Sequence, residues 1–288
     1  MTATALDLPG GPLADERESL AEELRTTGMV WEREIIRFFR TRARILSSFI
    51  QPILFLFVLG YGMSTLVGTT AGFDFKKFLF PGIVAMTVMS TAISSAISIV
   101  WDREFGFLRE MLVAPVSRTA LVAGKTLGGA SIATVQGTIM LALAPLIGVH
   151  LTPLVVAEVI GIELLMAVAL TAFGVFVASH IQRMEGFSVV MQLLLFPMLF
   201  LSGALFPLTG LPGWLAVLTR LNPLTYAVDP LRQVVFAAQH MPPAAAARFA
   251  TGVTLFGYTL PVAADIGITI AFATVFLALA VTGFGTPE

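Results

Sequence analysis

The chain has 288 residues, 57% of them hydrophobic and 12% charged, with a mean hydropathy of +0.89. About 25% charged residues is usual in a soluble domain, so the composition points to a membrane protein. A formal charge of −1 argues against a nucleic-acid partner, and the lack of cysteine excludes disulfides, thiolate metal sites and cysteine nucleophiles.

In chain order, residues 1–28 hold Asp7, Asp15, Glu16, Glu18, Glu22 and Glu23 and no apolar core, so they read as a flexible cytosolic tail and not a secretory signal. Over 29–44 and into the first residue of the next segment, Trp31, Ile35, Phe38, Phe39 and Ile45 recur at helical spacing, and Glu32, Arg33, Glu34, Arg37 and Arg40 fill much of the remaining surface. That pattern is an amphipathic helix, lying in the membrane interface with arginines near anionic headgroups or packing on a cytosolic partner.

Six segments are long and apolar enough to cross about 30 Å of hydrocarbon as helices: 45–67, 79–101, 126–149, 154–181, 187–206 and 263–284. The fold class is an all-α polytopic membrane protein, since these runs lack the two-residue alternation of barrel strands. Twelve basic residues fall before span one and in the 102–125 and 182–186 loops, against five on the other side. Basic residues favour the cytoplasmic side, so both termini should be cytosolic in a multi-pass cytoplasmic-membrane protein. Between spans five and six, Pro212, Pro223 and Pro230 chop an apolar stretch into short pieces. Half-length helices over 207–240 that dip in and return fit this better than a seventh span. No internal repeat is evident, and the paired broken helices of an inverted-repeat transporter are missing.

Catalytic patterns are weak. Gly124-Lys125-Thr126 ends like a phosphate-binding loop, but Thr119 stands where the first glycine belongs and a membrane span follows. Lys125 reads more simply as a cytosolic anchor for span three. His150, His180 and His240 have no metal-ligand spacing, so neither a metal nor a catalytic residue is expected. Ser90, Ser94 and Ser95 in span two have no histidine or lysine partner in the same spans and read as small-residue packing. Glu158 and Asp265 are placed near the outer interface, where water hydrates them. Glu163 lies deeper, as a proton-relay residue or a polar group at a protein seam.

The charged island 102–118 remains. Asp102–Arg109 begins a short helix, Ala114-Pro115 stops it, and Ser117 caps the next. Phe105, Leu108 and Leu112 share a face that can seat in a partner's groove, with Arg103, Glu104 and Glu110 at its rim.

This stretch, Asp102-Arg103-Glu104-Phe105-Gly106 through Ala114-Pro115-Val116-Ser117-Arg118 and on to Gly124-Lys125, resembles the pattern after span two in the transmembrane subunits of type-2 ABC exporters. The daunorubicin-resistance and nodulation-protein-J branch is the most similar. A second match runs from Ser202-Gly203 and Phe206-Pro207 through Leu211-Pro212 and Trp214 to Leu221-Asn222-Pro223-Leu224-Thr225-Tyr226 and Arg232. The resemblance spans roughly residues 30–285, so 45–285 forms one transmembrane domain.

It implies that the chain is a transport subunit and not an enzyme. It pairs with a second permease chain, identical or not, in membrane lipid, and two cytosolic ATPase subunits dock beneath and bind the ATP and magnesium; this chain binds no cofactor. The resemblance makes 102–118 the coupling helix, with Arg103, Glu104, Phe105, Gly106, Leu108, Arg109, Glu110, Leu112, Pro115 and Arg118 meeting the ATPase. Trp31, Ile35, Arg37, Phe38 and Arg40 stand beside it on the interface helix. Pro212, Trp214, Asn222, Pro223, Tyr226 and Arg232 belong to re-entrant helices that lid the exit.

A drug-like, lipid or glycan-type amphipathic substrate would then pass near spans one, two and five, where Gln51, Met86, Met89, Gln192 and Phe196 are candidate lining residues and equally candidates for packing. The alternatives are a proton-coupled secondary transporter using Glu163 and a non-transporting anchor or assembly protein.

Overall fold

The computed structural model describes residues 12–67, 74–106, 117–239, 252–255 and 258–284, with Pro242 and Ala245. Helix α1 runs from Pro12 to Arg40, so residues 12–28, expected as a tail, are helical and continuous with the amphipathic segment. The chain breaks at Thr41 (φ −103°, ψ 69°) and continues as α2, Arg42–Leu54. Pro52 inside α2 has no N–H to donate; the backbone then widens to a π-helical stretch, Phe55–Leu59, before α3, Gly60–Val67.

Asp74 caps the next helix, α4 (Phe75–Ser95), by accepting from the Lys76 N–H, and its carboxylate also takes the Ser64 hydroxyl at 2.7 Å and the Lys76 ammonium at 3.1 Å. Burial pushes the Asp74 carboxyl up, but the Ser64 and Lys76 contacts outweigh it and hold it below its ordinary value. Asp74→Ala should cost about 1 kcal/mol of stability, a typical helix-cap loss. The wild-type contribution is present above the unfolded-state pKa and fades as the pH falls through the lower folded value. Thermal midpoints measured down an acid series would converge for the two proteins if this is right, and would stay parallel if the cap is neutral.

Past Ala96, α5 (Ile97–Glu104) prolongs α4 into one apolar helix of 30 residues. Helix α6 spans Arg118–Leu141, with Ser117 as its cap, accepting from the Ala120 N–H as the sequence suggested. A 3-10 turn over Ala144–Ile147 follows, then Gly148 in the left-handed region at φ 75°. Helix α7, Pro153–His180, is capped by Thr152; α8 is Met184–Leu201. Two short helices, α9 (Gly213–Leu221) and α10 (Pro223–Ala237), precede a two-residue hairpin, β1 (Thr254–Leu255) with β2 (Tyr258–Thr259), and the last helix, α11, Val262–Gly283.

Among the described residues, five helices are long and apolar enough to cross a membrane: Ile45–Ser64, Phe75–Glu104, Pro153–His180, Met184–Leu201 and Val262–Gly283. The third expected span, 126–149, differs. It is helical only to Leu141, and its apolar content falls below the other five because Gly, Ser, Thr and Gln interrupt it. Its position explains that composition. Helix α6 packs on α1, α4 and α7 at once, so little of it needs to be lipophilic. Its glycines face those neighbours: a Cβ on Gly124 would meet the Val30 side chain at 2.7 Å, one on Gly128 the Glu34 side chain at 2.7 Å, and one on Gly129 the Ser95 hydroxyl at 2.1 Å. Small residues of this kind let helix backbones approach closely.

Candidate functional site

The end of the bundle that carries the charged island holds a buried ionic cluster. The ammonium of Lys125 lies 2.6 Å from Glu34 Oε1, 2.7 Å from Asp102 Oδ2 and 3.1 Å from Ser98 Oγ. The Lys125, Glu34 and Asp102 side chains are 3%, 7% and 2% exposed, so three helices, α1, α5 and α6, meet on charges removed from water. Arg33 and Arg37 approach Asp102 from the rim at 3.6 and 3.8 Å. The cluster thus sets three cations against two anions. Lys125 is more than a terminal anchor: it joins the amphipathic helix to the ends of two membrane helices.

One residue beyond Asp102, the chain reaches sideways. Arg103 donates from Nη1 to the carbonyls of Ser179 at 2.9 Å and Ile181 at 3.2 Å, where α7 ends. Glu104 accepts from the Met184 N–H at 3.1 Å, where α8 begins. A cation on the last carbonyls of one helix and a carboxylate on the first amide of the next both suit the helix dipoles. The pair therefore clasps the turn at 181–183. Phe105 is exposed and packs on Trp101, with ring centres 5.8 Å apart; Gly106 takes φ 82°, and Arg118 is exposed at the start of α6. Leu108, Arg109, Glu110, Leu112 and Pro115 lie outside the described residues.

Helix α1 sits differently from a helix floating at an interface. Its Val30 and Glu34 face Gly124 and Gly128 of α6, and Trp31 Nε1 donates to Ser131 at 3.1 Å. Ile35 and Phe38 are half-buried, Arg37 joins the ionic cluster, and Arg40 is exposed in the last turn. The apolar face is divided between α6 and the outside, where Ile36 and Phe39 remain exposed.

Between the α1–α2 bend and α4–α6 lies a cavity of about 530 Å³, bordered by the ionic cluster. Of the five candidate path residues, only Gln51 lines it. Met86 and Met89 are 3% and 1% exposed in the core of the chain, because α4 is covered by α6 and α7; they are packing residues within this chain. Gln192 and Phe196 lie on the exposed face of α8.

At the opposite end, α9 and α10 form a hydrogen-bonded cap. Pro212 is the N-cap residue just before α9, and Trp214 is exposed. Asn222 caps α10 through the Leu224 N–H and donates to the Met198 carbonyl at 2.7 Å; Pro223 is the first residue of α10. The Tyr226 hydroxyl donates to the Arg220 carbonyl at 2.7 Å. Buried Arg232 donates to the Gly203 carbonyl at 2.6 Å with its guanidinium 4.5 Å from the Phe78 ring. Asp265, expected near hydrating water, is instead wholly buried beside Asp229, since α10 packs over the start of α11. Glu158 is exposed, as the sequence suggested. Glu163 is fully enclosed, its carboxyl group facing the Cα of Gly137 on α6. Among the described residues, no group of three or more histidine, aspartate or glutamate side chains is placed to hold a metal ion.

Residues 25–236 match the family model described as ABC-2 type transporter. The ycf38 protein of Pyropia yezoensis is 30% identical over 222 residues, 74% of each chain. The inner membrane transport permease YadH of Escherichia coli (strain K12) is 27% identical over 70% of this chain and 80% of its own. Nodulation protein J of Rhizobium leguminosarum bv. viciae is 28% identical over 70% of this chain and 79% of its own.

Proposed function

Because the chain belongs to the ABC-2 type transporter family, we propose that it is the permease subunit of an ATP-driven exporter, moving an amphipathic substrate outward across the cytoplasmic membrane. Permeases of this family work with ATPase partners. In this reading two cytosolic ATPase subunits carry the ATP and magnesium, and a second permease chain completes the pore. The branch is that of daunorubicin-resistance and nodulation-J permeases. Six spans are assigned, with α6 as the third, both termini cytosolic and α9–α10 re-entrant at the exit.

The observation that carries this reading is the pair of ties at the island's end of the bundle. A push on residues 102–118 by a closing ATPase dimer would reach α1 and α6 through Asp102–Lys125–Glu34. It would reach α7 and α8 through Arg103 and Glu104. Five helices would then move from one contact, as rigid-body switching requires. Glu163, by contrast, is fully buried on α7 with its carboxyl group against Gly137 of α6, and it does not line the cavity beside the ionic cluster.

The test is the double variant Arg103→Ala/Glu104→Ala, purified with its cognate ATPase and reconstituted. The ATPase should still bind and hydrolyse ATP, while ATP-driven export falls at least about tenfold, the size of a lost coupling of 1–3 kcal/mol. Export unchanged in the variant would remove the clasp from the mechanism. Wild-type export that survives ATP depletion but collapses with the proton gradient would remove the exporter reading.

A further inference from the structure

We propose that Asp229 and Asp265 form a proton-binding site between α10 and α11, where one proton shared by the two carboxyl groups keeps the cap closed. The permease reading gives neither residue a role, and the proposal stands apart from it.

Asp265 is wholly buried, and Asp229 is 7% exposed. Among the described residues, no N–H or O–H donor reaches either carboxyl oxygen of Asp265. The group it faces is the Asp229 carboxyl, within hydrogen-bond reach. Two carboxylates so placed would be enclosed like charges with no hydrogen between them. A single proton removes one charge and supplies the hydrogen bond that Asp265 otherwise lacks.

The neighbours of Asp229 decide the ligand. Its Oδ2 already accepts from Gln233 Nε2 at 2.8 Å and from the Val253 N–H at 3.1 Å, as an ionised carboxylate does. Its charge is also offset by Arg232, which is 6% exposed and one turn further along α10. One cation answers one of the two carboxylates, so the other must be neutral. A metal ion would need a shell of oxygens, whereas these partners present N–H groups. The Tyr226 hydroxyl donates to the Arg220 carbonyl at 2.7 Å, so its hydrogen is directed away from Asp265.

The other charged groups of the packed elements are engaged elsewhere. On α4, Lys76 pairs with Asp74 and Lys77 approaches Gly148. On α7, Glu158 is exposed and Glu163 faces Gly137. Arg118 and Lys125 of α6, His180 of α7 and Glu185 of α8 lie toward the ionic-cluster end. Tyr258 of the hairpin is exposed, and His240 and Arg248 lie outside the described residues.

What the proton controls follows from how the hairpin is seated. Val253 ties the hairpin to Asp229, and the Leu260 N–H donates back to the Val253 carbonyl at 2.9 Å. A Cβ on Gly252 would meet Gln233 Nε2 at 2.9 Å and Asp229 Oδ2 at 3.2 Å, so the chain lies directly on this pair. The hairpin, α10 and the first turn of α11 thus converge on one proton. Its departure to solvent leaves two carboxylates in one enclosure; they separate by admitting water, which lifts α10 and the hairpin from α11.

The experiment uses the full permease with its cognate ATPase in lipid nanodiscs, and the probes are protons, sodium and calcium. Infrared difference spectra of the wild type against Asp265→Asn at neutral pH report the proton directly. A protonated-carboxyl C=O band, shifted in D2O, should be present in the wild type and lost in the variant; Glu163 is common to both and cancels. Asp229→Asn should lose the band as well, because Arg232 then faces a single carboxylate. Hydrogen exchange over residues 252–260, corrected for its intrinsic pH dependence, should rise at least about fivefold as the wild type is made alkaline, the low end of coupling between two sites. In Asp265→Asn, whose amide supplies a permanent N–H, exchange should stay level. Burial pulls the Arg232 guanidinium down to about 10 against the opposing charge of Asp229, so the series ends below that value.

Absence of the band in the wild type would overturn the proposal. So would a band that survives in Asp229→Asn, because burial alone would then hold the proton. Exchange that responds alike in the wild type and Asp265→Asn would remove the proton from control of the cap. Protection of the hairpin by sodium or calcium at fixed pH, with no protonated band, would overturn the proposal in favour of a metal ion. None of these outcomes touches the exporter reading, which is tested by the ATP dependence of export.

Discussion

Replacing Lys125 with methionine should destabilise the permease by about 3–5 kcal/mol, the usual cost of breaking a buried ion pair by deleting one partner. Lys125 is 3% exposed and touches both Glu34 and Asp102, so its loss leaves two enclosed carboxylates facing each other with only the rim arginines near. Those arginines stand 3.6–3.8 Å from Asp102, against 2.6–2.7 Å for the Lys125 contacts, so they replace only part of the lost attraction. The expected signs are a large fall in the thermal midpoint of the detergent-solubilised protein and poor membrane yield. The triple variant Lys125→Met/Glu34→Gln/Asp102→Asn should recover most of the loss, because the penalty comes from uncompensated charge and not from missing attraction. Strong non-additivity is therefore the diagnostic result. A single variant as stable as the wild type, or a triple variant that is worse than the single, would show that the cluster is not a closed ionic unit.

The membrane class and five of the six apolar spans are legible in the sequence because these depend on local composition and spacing. It showed less of what joins them. Lys125 reads as an anchor because its partners, at positions 34 and 102, are remote in the chain. The contact between α1 and α6 has a signal in the sequence: Gly124 and Gly128 are four apart and make one small-residue face on a helix. The clasp had no such signal, since Arg103 and Glu104 bind backbone groups at 179, 181 and 184, and any sequence there would supply a carbonyl or an amide. Asp265 misled for a related reason. Its place at the start of a span suggests water, and only the docking of α10 over it removes that water.

The hydroxyls of α4 are an instructive case between these. Their number and helical spacing were visible, and packing was a sound reading for Ser95, which meets Gly129. That Thr91 reaches Gln136 and that Ser94 borders open space depends on the bend at Thr41, which swings α2 away from α1. A break of one residue thus converts part of a packing stripe into a cavity wall.

Gly82→Ala is expected to undock the cap at the other end of the bundle. A Cβ at position 82 would stand 1.8 Å from the Ala204 carbonyl oxygen and 2.6 Å from its carbon. The obstacle is backbone, so no side-chain rotation relieves it, and the loss should reach the upper end of the 1–3 kcal/mol typical of overpacking, or about 3 kcal/mol. The alternative to that cost is displacement of the 202–208 turn. That turn is held by Gly203, at φ 77°, whose carbonyl accepts from Arg232; moving it takes the α10 contact along. Because the chain lacks cysteine, a single Ser202→Cys reports the motion. Ser202 is 2% exposed, so the thiol should resist a membrane-impermeant maleimide in the parent and react in the Gly82→Ala background. Gly161→Ala serves as the control, since nothing lies within 4 Å of its added methyl group, and alanine is favoured over glycine inside a helix by about 1 kcal/mol. Labelling that stays equal in the parent and Gly82→Ala would mean that the turn gives way locally, and that the cap is not seated on α4 through this glycine.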